Sequence, residues 1–371
     1  MNLKNAYLES KNSEKHFANK KILFIGSEGY DAATVTTIQG LDELGFKIYT
    51  INKTNINSWF CNIVINDPNK YKFDFILSNL HWGTRWSYFE KYKLNNYLKI
   101  LIDGDDNTKN FPNWKYKYCR YKNRYVNNPD ENIKMKKLSD CRWIEDLNKY
   151  KPDILFTTQR TNIKEQGYYL PFGIAKEYIN TKINSLEKRP YDFVNIDGPG
   201  EKRKRMKKFL NFNSLLHLIP GKIFNGYVKG EIEYPEKIKE IAKKDKNIHG
   251  YNRWGISKNY FQMLNNAKIL IYPGIVDGGI WESKRPWESY ANGCLVLMSK
   301  PNINCSDYPI TELCSFAVYN SYYELTSKAR FLYKNKETLD KYRLQATEDA
   351  HKYFTPKPIG NYFLKKIKDS I

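Results

Sequence analysis

The sequence lacks the cysteine patterns that mark disulfide frameworks and structural zinc sites. Its six cysteines form no C-x-x-C pair and show no metal-ligand spacing, so neither kind of site organises the chain. Several of them stand in apolar surroundings, where reduced thiols are commonly buried. We therefore expect a protein of the reducing cytoplasm. The cysteines are Cys61, Cys119, Cys141, Cys294, Cys305 and Cys314.

Long apolar runs are also missing. No run reaches the roughly 20 residues that a membrane-spanning helix needs. The segment 1–19 is polar and charged, which predicts a loosely docked arm and does not fit a signal peptide. We expect either a soluble protein or one that attaches peripherally to a membrane.

Acidic residues are few relative to basic ones. The chain has 61 lysines and arginines against 40 aspartates and glutamates, which gives a formal charge of +21. This charge favours phosphates, DNA or an anionic membrane face as partners. An A/T-rich coding sequence that spreads lysines over a solvated surface is the alternative. If the charge is functional, cations should concentrate on one face, drawn largely from 115–124 and 202–208.

The length of 371 residues exceeds what one hydrophobic core usually serves, so two domains are expected. After the arm, we predict an N-terminal domain over 20–184 and a second domain over 185–355. The segment Thr181–Arg189 would link them, and 356–371 would form a final helix.

The N-terminal half opens with the pattern of a β–α–β unit. The apolar run Lys21–Ile25 predicts a strand, Ala32–Leu44 has helical spacing, and Lys47–Ile51 predicts the next strand. A glycine-bearing loop, 26–29, joins the first strand to the helix. The full G-x-G-x-x-G fingerprint is absent, so no dinucleotide site is indicated.

Polar residues follow two further predicted strands. His81 comes shortly after Phe73–Ser78, and Asp103 directly follows Tyr97–Ile102. Either side chain could serve as a base for an acceptor hydroxyl, and Asp103 could instead cap a helix. Asp103 and Asp105 also form a D-x-D spacing, which invites comparison with metal-dependent sugar transfer. We favour an acidic loop without a metal.

The second half begins with the predicted strand Tyr191–Ile196, which leads into a glycine-rich turn and a basic run. Lysine and arginine are the residue types that bind phosphate. The candidates are Gly198, Gly200, Lys202, Arg203 and Arg205.

The stretch Lys268–Met298 organises the rest of this half. Its pattern predicts a buried strand, a loop containing Gly278 and Gly279, a short helix and a second buried strand. Pro286 suits the start of that helix, and Gly293 suits the position of positive φ just past its end. In such a unit the loop and the helix start lie at the carboxyl edge of a parallel sheet, where α/β proteins bind ligands.

A family resemblance rests on this stretch. Arg285, Glu288, Ala291, Gly293 and the apolar strand that follows resemble the R-x-x-E-x-x-A-x-G-x-L-L signature of GT-B glycosyltransferases, especially the bacterial spore-maturation-type group. The resemblance implies an α/β fold of two Rossmann-like domains facing a central cleft, with a C-terminal helix crossing back to the first domain.

The same resemblance implies roles for individual residues. Glu288 would hold the ribose of a nucleotide-sugar donor, while Arg285 and the N–H groups around Gly278 and Gly279 would hold its diphosphate. The loop after the first strand would face the acceptor; its residues are Gly26, Ser27, Glu28 and Gly29.

The implied reaction is transfer of a hexose-type sugar from a nucleotide diphosphate to an acceptor hydroxyl. No cofactor and no metal are needed, because basic residues can neutralise the leaving group. The acceptor could be a glycan, a lipid-linked molecule, a protein or DNA. Two alternatives stay open: a glycosyltransferase acting on DNA bases, and a non-catalytic nucleic-acid-binding protein, although no recognised nucleic-acid-binding motif is present.

Overall fold

The structure is a computed structural model of the chain. It describes residues 19–26, 32–51, 63–79, 87–103, 151–158, 168–180, 182–196, 201–226, 232–233, 256–273, 284–299 and 318–371. These residues form two compact units. The N-terminal unit contains those between 19 and 171 together with 360–371, and the C-terminal unit contains those between 172 and 359.

The N-terminal unit is built on a parallel sheet whose described strands lie in the order β3-β2-β1-β4-β5-β6-β7. The central strands are buried on both faces, as parallel sheets covered by other elements require. In chain order the elements are β1 (Lys21–Ile25), α1 (Ala32–Glu43), β2 (Lys47–Thr50), β3 (Ile63–Val64), β4 (Phe75–Asn79), α2 (Ser87–Lys91), β5 (Lys99–Asp103), β6 (Ile154–Thr157) and β7 (Tyr168–Tyr169). The β–α–β opening predicted from the sequence is confirmed.

The C-terminal unit has a second parallel sheet, with its described strands in the order β14-β13-β12-β8-β9. A separate antiparallel pair is formed by β10 and β11. In chain order the elements are β8 (Tyr191–Ile196), α3 (Glu201–Leu215), β9 (Ile223–Gly226), β10 (Ile232–Glu233), β11 (Ile256–Ser257), α4 (Lys258–Asn266), β12 (Ala267–Tyr272), α5 (Arg285–Ala291), β13 (Leu295–Ser299), β14 (Val318–Tyr319), α6 (Tyr322–Lys334) and α7 (Lys336–Tyr353).

The last helix, α8 (Pro356–Lys368), packs on the N-terminal sheet, as the crossing-back prediction requires. The ring of Phe363 lies 4.5 Å from that of Phe156 and 6.4 Å from that of Phe75. Gly360 allows α8 to approach α1 closely, because a Cβ atom there would lie 2.7 Å from the backbone carbon of Gly40.

No helix in the described part of the chain combines the length and the hydrophobicity that a membrane span needs.

A buried arginine connects several elements of the C-terminal unit. Arg189 is 1% exposed. Its guanidinium donates to the carbonyl oxygens of Leu264 (3.1 Å), Ala267 (2.6 Å) and Asn292 (2.9 Å), and its Nε donates to that of Asn184 (3.0 Å). These carbonyls belong to the end of α4, the start of β12, the end of α5 and the segment before β8. Burial lowers the pKa of Arg189 to about 10, so the group stays cationic at neutral pH.

Gly293 completes this arrangement. Its φ is +70°, so the predicted left-handed residue after α5 is confirmed. A Cβ atom at this position would lie 2.5 Å from Nη2 of Arg189 and 2.3 Å from Cγ2 of Ile183. Only glycine therefore fits both the backbone conformation and the space beside the guanidinium.

We predict that Arg189→Met lowers the free energy of unfolding by about 3 to 5 kcal/mol, because it leaves several buried carbonyl oxygens without a donor. Urea unfolding followed by circular dichroism measures the change. Arg330→Met, which alters an exposed arginine on α6, is the control and should change stability by no more than about 0.5 kcal/mol. Equal effects of the two substitutions would contradict a central role for Arg189.

For the docking of α8, we predict that Gly360→Ala destabilises the protein by about 1 to 3 kcal/mol. The clash is with the backbone of Gly40, which cannot rotate away as a side chain can. The effect should exceed the gain of up to about 1 kcal/mol that alanine brings to a helix interior. A rise in the urea midpoint would show that α1 and α8 do not pack this closely.

Candidate functional site

The C-terminal sheet reverses its strand order between β8 and β12. From β8 the chain moves outward to β9, and it later returns to β12, β13 and β14 on the other side. In open α/β sheets, ligands bind at the carboxyl ends of the strands at such a switch point. The segments that follow β8 and β12 are therefore where a ligand site is expected in this unit.

Arg285 lies at this switch point. It begins α5, the helix that follows β12 in the sequence, and its Nη1 donates to the carbonyl oxygen of Ile196 over 3.0 Å. Ile196 is the last residue of β8. The arginine thus ties the start of α5 to the carboxyl end of the neighbouring strand, and the guanidinium stands at the edge where the sequence predicts phosphate binding.

Glu288 is buried one turn further along α5. Its side chain is 3% exposed, and Nζ of Lys284 lies 3.4 Å from Oε1. The hydroxyl of Tyr260 donates to Oε2 over 3.0 Å. A carboxylate at such depth needs partners of this kind to offset its loss of hydration. Each of its two oxygens therefore has a distinct protein partner.

Tyr260 reaches Glu288 from α4. Burial, and then the negative charge of Glu288, raise the pKa of the Tyr260 hydroxyl well above its usual value. The hydroxyl therefore keeps its proton throughout the physiological range and remains a donor to the carboxylate. This contact fixes the direction in which one oxygen of Glu288 points.

The backbone of α5 is held by its packing on α7. The ring of Trp287 stacks on that of Phe354, with centroids 4.0 Å apart and planes 14° apart. Nε2 of His351 lies 2.9 Å from the carbonyl oxygen of Ala291. Because α5 has only seven residues, its dipole contributes little. The chemistry of the site therefore depends on the side chains of Arg285 and Glu288.

The remaining predicted donor residues are described in part. The basic run forms the first turns of α3, and Arg205 is exposed there. The backbones of Lys202 and Arg203 are helical, but their side chains lie outside the described part. Four predicted glycines also lie outside the described residues: Gly198, Gly200, Gly278 and Gly279.

The residues predicted for the acceptor side come at or just after the carboxyl ends of three adjacent strands of the N-terminal sheet. Gly26 directly follows β1, and Asp103 is the last residue of β5, with β4 between these strands. The side chain of Asp103 and all of His81, Ser27, Glu28 and Gly29 lie outside the described part. Among the described residues, no three His, Cys, Asp or Glu side chains gather as a metal site would require.

Two partners of Glu288, Tyr260 and Lys284, were not predicted from the sequence. Lys284 precedes Glu288 by four residues, a spacing at which helical side chains form ion pairs, so it could have been found. Tyr260 lies 28 residues before Glu288, and no local pattern relates the two. Only the packing of α4 beside α5 reveals that contact.

We predict that Tyr260→Phe lowers stability near pH 8 by about 1 to 3 kcal/mol, because the buried Glu288 loses a donor. The difference in free energy of unfolding between wild type and variant should decrease above about pH 10. There the tyrosine of the unfolded wild type ionises, whereas the folded one, with its raised pKa, does not, so the wild type loses stability. Urea unfolding of both proteins at several pH values measures this. Tyr323→Phe, at an exposed tyrosine, should change stability near pH 8 by no more than about 0.5 kcal/mol. A difference that does not change with pH would contradict the raised pKa.

Comparison with known proteins identifies the fold but not a sequence family. No protein-family model matches the chain, and no curated protein matches it in sequence. Among solved structures, it is similar to sucrose-phosphate synthase from Thermosynechococcus elongatus, with a TM-score of 0.55 and 11% identity over 95% of this chain and 99% of the other.

Two further structures show the same likeness. HepE from Anabaena, solved in complex with UDP and glucose, has a TM-score of 0.52 and 10% identity over 95% of this chain and 100% of its own. The N-terminal domain of trehalose-6-phosphate phosphatase from Candida albicans has a TM-score of 0.52 and 12% identity, covering 96% of this chain and 98% of that one. At these identities the likeness establishes architecture alone. With its two parallel sheets and flanking helices, the chain has the GT-B fold, composed of two Rossmann-like domains.

Proposed function

We propose that this protein is a glycosyltransferase that uses a nucleotide-diphosphate sugar as donor. The observation that carries the proposal is the buried Glu288 carboxylate beside Arg285, at the switch point of the C-terminal sheet. A carboxylate accepts hydrogen bonds from a ribose diol, and a guanidinium binds a diphosphate. The likeness to HepE, whose structure contains UDP and glucose, supports this choice of ligand.

In this proposal the ribose hydroxyls take the place of the Lys284 ammonium group as the partner of Oε1 of Glu288. The Lys284 side chain is 37% exposed, whereas the Glu288 side chain is almost fully buried, so the ammonium group is the partner on the solvent side. Tyr260 keeps its hydrogen bond to Oε2 and holds the carboxylate in place. The ribose hydroxyls then donate to Oε1, and the released ammonium group lies near the donor phosphates.

The transfer step forms one bond and breaks another. The oxygen of the acceptor hydroxyl attacks the anomeric carbon of the sugar, the bond from that carbon to the diphosphate oxygen breaks, and the nucleotide diphosphate leaves with the electron pair. Arg285, with one or two of Lys202, Arg203 and Arg205, would stabilise the developing negative charge. The hydroxyl proton passes to a base, for which His81 and Asp103 remain the candidates. Neither a metal nor another cofactor enters this scheme.

A hexose is the proposed sugar. The acceptor would carry a hydroxyl on a glycan, a lipid-linked molecule, a protein or DNA. Transfer to DNA bases would draw support only from the charge of +21, and no contact among the described residues favours it.

We predict that Glu288→Gln reduces the preference for ribonucleotides. Uridine, guanosine, adenosine and cytidine diphosphates are first titrated calorimetrically to find the base that binds, and its 2′-deoxy form is then compared. The wild type should bind the ribonucleotide about 10 to 100 times more tightly, because the deoxy form leaves a buried carboxylate partner unmatched. The variant should bind both forms with nearly equal, weak affinity.

Two controls separate binding from folding. Lys284→Ala should keep the ribose preference, since in this scheme the lysine leaves the carboxylate when the donor binds. The urea midpoint of Glu288→Gln shows whether the variant is folded. The proposal fails if no nucleoside diphosphate binds the wild type at millimolar concentration. It also fails if folded Glu288→Gln retains the wild-type preference.

A further inference from the structure

The outward side of α3 changes from charged to apolar along its length. Phe212 is 61% exposed, Leu215 is 79% exposed and Leu216 is 51% exposed. Leu216 follows the last residue of α3 and continues its turn, because its N–H donates to the carbonyl oxygen of Phe212. The spacing of three and four residues therefore places the three side chains on one side of the helix. The opposite side packs into the core through Met206, Leu210 and Asn213. The three exposed residues therefore do not contribute to the core, and leaving their apolar surface area in contact with water is unfavourable.

This apolar surface continues onto the start of α6. Phe209, one turn before Phe212, stacks on Tyr322 with ring centroids 4.3 Å apart and planes 26° apart. The next residue, Tyr323, is 86% exposed. We call the surface formed by Phe212, Leu215, Leu216, Tyr322 and Tyr323 the α3–α6 surface. Contiguous exposed apolar residues of this kind mark interaction sites in soluble proteins.

Cations adjoin the α3–α6 surface on the same helix. Lys204 and Lys208 are exposed, and they precede Phe212 by eight and four residues. Both spacings place them on the side of α3 that carries Phe212. Large apolar side chains next to lysines are the combination that peripheral proteins bring to an anionic lipid surface.

Two other possible partners for the α3–α6 surface, a second copy of the chain and a nucleic acid, fit its charge or its chemistry less well. A second copy docking through the same surface would bring Lys204 and Lys208 of both chains together, in a protein whose formal charge is +21. A nucleic acid would match the lysines and could stack on the tyrosines, but Leu215 and Leu216 offer nothing on which bases stack.

We propose that the α3–α6 surface docks on an anionic lipid bilayer. Phe212, Leu215 and Tyr323 enter the boundary between headgroups and acyl chains, and the two lysines face the headgroup charges. This inference does not depend on the proposed sugar transfer, because none of these residues belongs to the donor site.

The test is sedimentation of the full chain with vesicles. One set contains about 30% phosphatidylserine in phosphatidylcholine and the other contains phosphatidylcholine alone, both at about 0.15 M salt. The wild type should bind the anionic vesicles and not the neutral ones. The double substitution F212S/L215S should weaken binding about tenfold or more, since it removes two exposed apolar side chains that would enter the bilayer.

Matched controls change residues of the same unit that are not part of the α3–α6 surface. F331S/L344S changes two apolar residues that are 44% and 45% exposed, and it should bind as the wild type does. Lys208→Glu should weaken binding, whereas Lys341→Glu, at an exposed lysine on α7, should not. Circular dichroism of each variant establishes that it is folded.

Three results would overturn the proposal. The first is absence of binding to anionic vesicles. The second is an equal effect of F212S/L215S and F331S/L344S, which would mean that charge spread over the whole surface causes binding. The third is a concentration-dependent dimer that F212S/L215S abolishes, with no vesicle binding, which would assign the surface to a second copy.

Discussion

The C-terminal unit depends on one buried guanidinium. Arg189 joins the ends of α4 and α5, the start of β12 and the segment that precedes β8, all through backbone carbonyls. Helix ends otherwise leave such carbonyl groups without partners, and burying them unpaired is costly. The same guanidinium leaves room only for glycine at position 293. One side chain therefore connects the ends of α4 and α5 to the start of β12.

This constraint has consequences for the candidate site. Tyr260 comes from α4, whereas Arg285 and Glu288 come from α5, so the contact between Tyr260 and Glu288 exists only while both helices keep their places. The stacking of Trp287 on Phe354 fixes α5 from its other side. The result is a carboxylate and a guanidinium held in fixed directions at the switch point of the sheet. Such preorganised groups suit a ligand that presents a diol and a diphosphate, as the donor in the proposed function does.

Much of the architecture could be predicted from the sequence, because parallel strands buried on both faces are nearly continuous apolar runs. The run Lys21–Ile25 and the strand Tyr191–Ile196 were predicted with the bounds that the structure shows. Two-residue strands such as Ile63–Val64 are too short to produce a pattern. Arg189 looked like part of a linker because no local signal distinguishes a buried arginine from an exposed one. The partner of Glu288 was missed for a similar reason, since helix packing, rather than spacing along the chain, brings Tyr260 to it.

In the proposed function, Arg285 and Glu288 together bind the diphosphate and the ribose of one nucleotide. A crystal structure of the protein with a bound nucleoside diphosphate tests it most directly. We expect phosphate oxygens within hydrogen-bonding distance of the Arg285 guanidinium. The ribose hydroxyls should donate to Oε1 of Glu288, while the Tyr260 hydroxyl keeps its hydrogen bond to Oε2. A nucleotide bound elsewhere, with Lys284 still paired to Glu288, would contradict it.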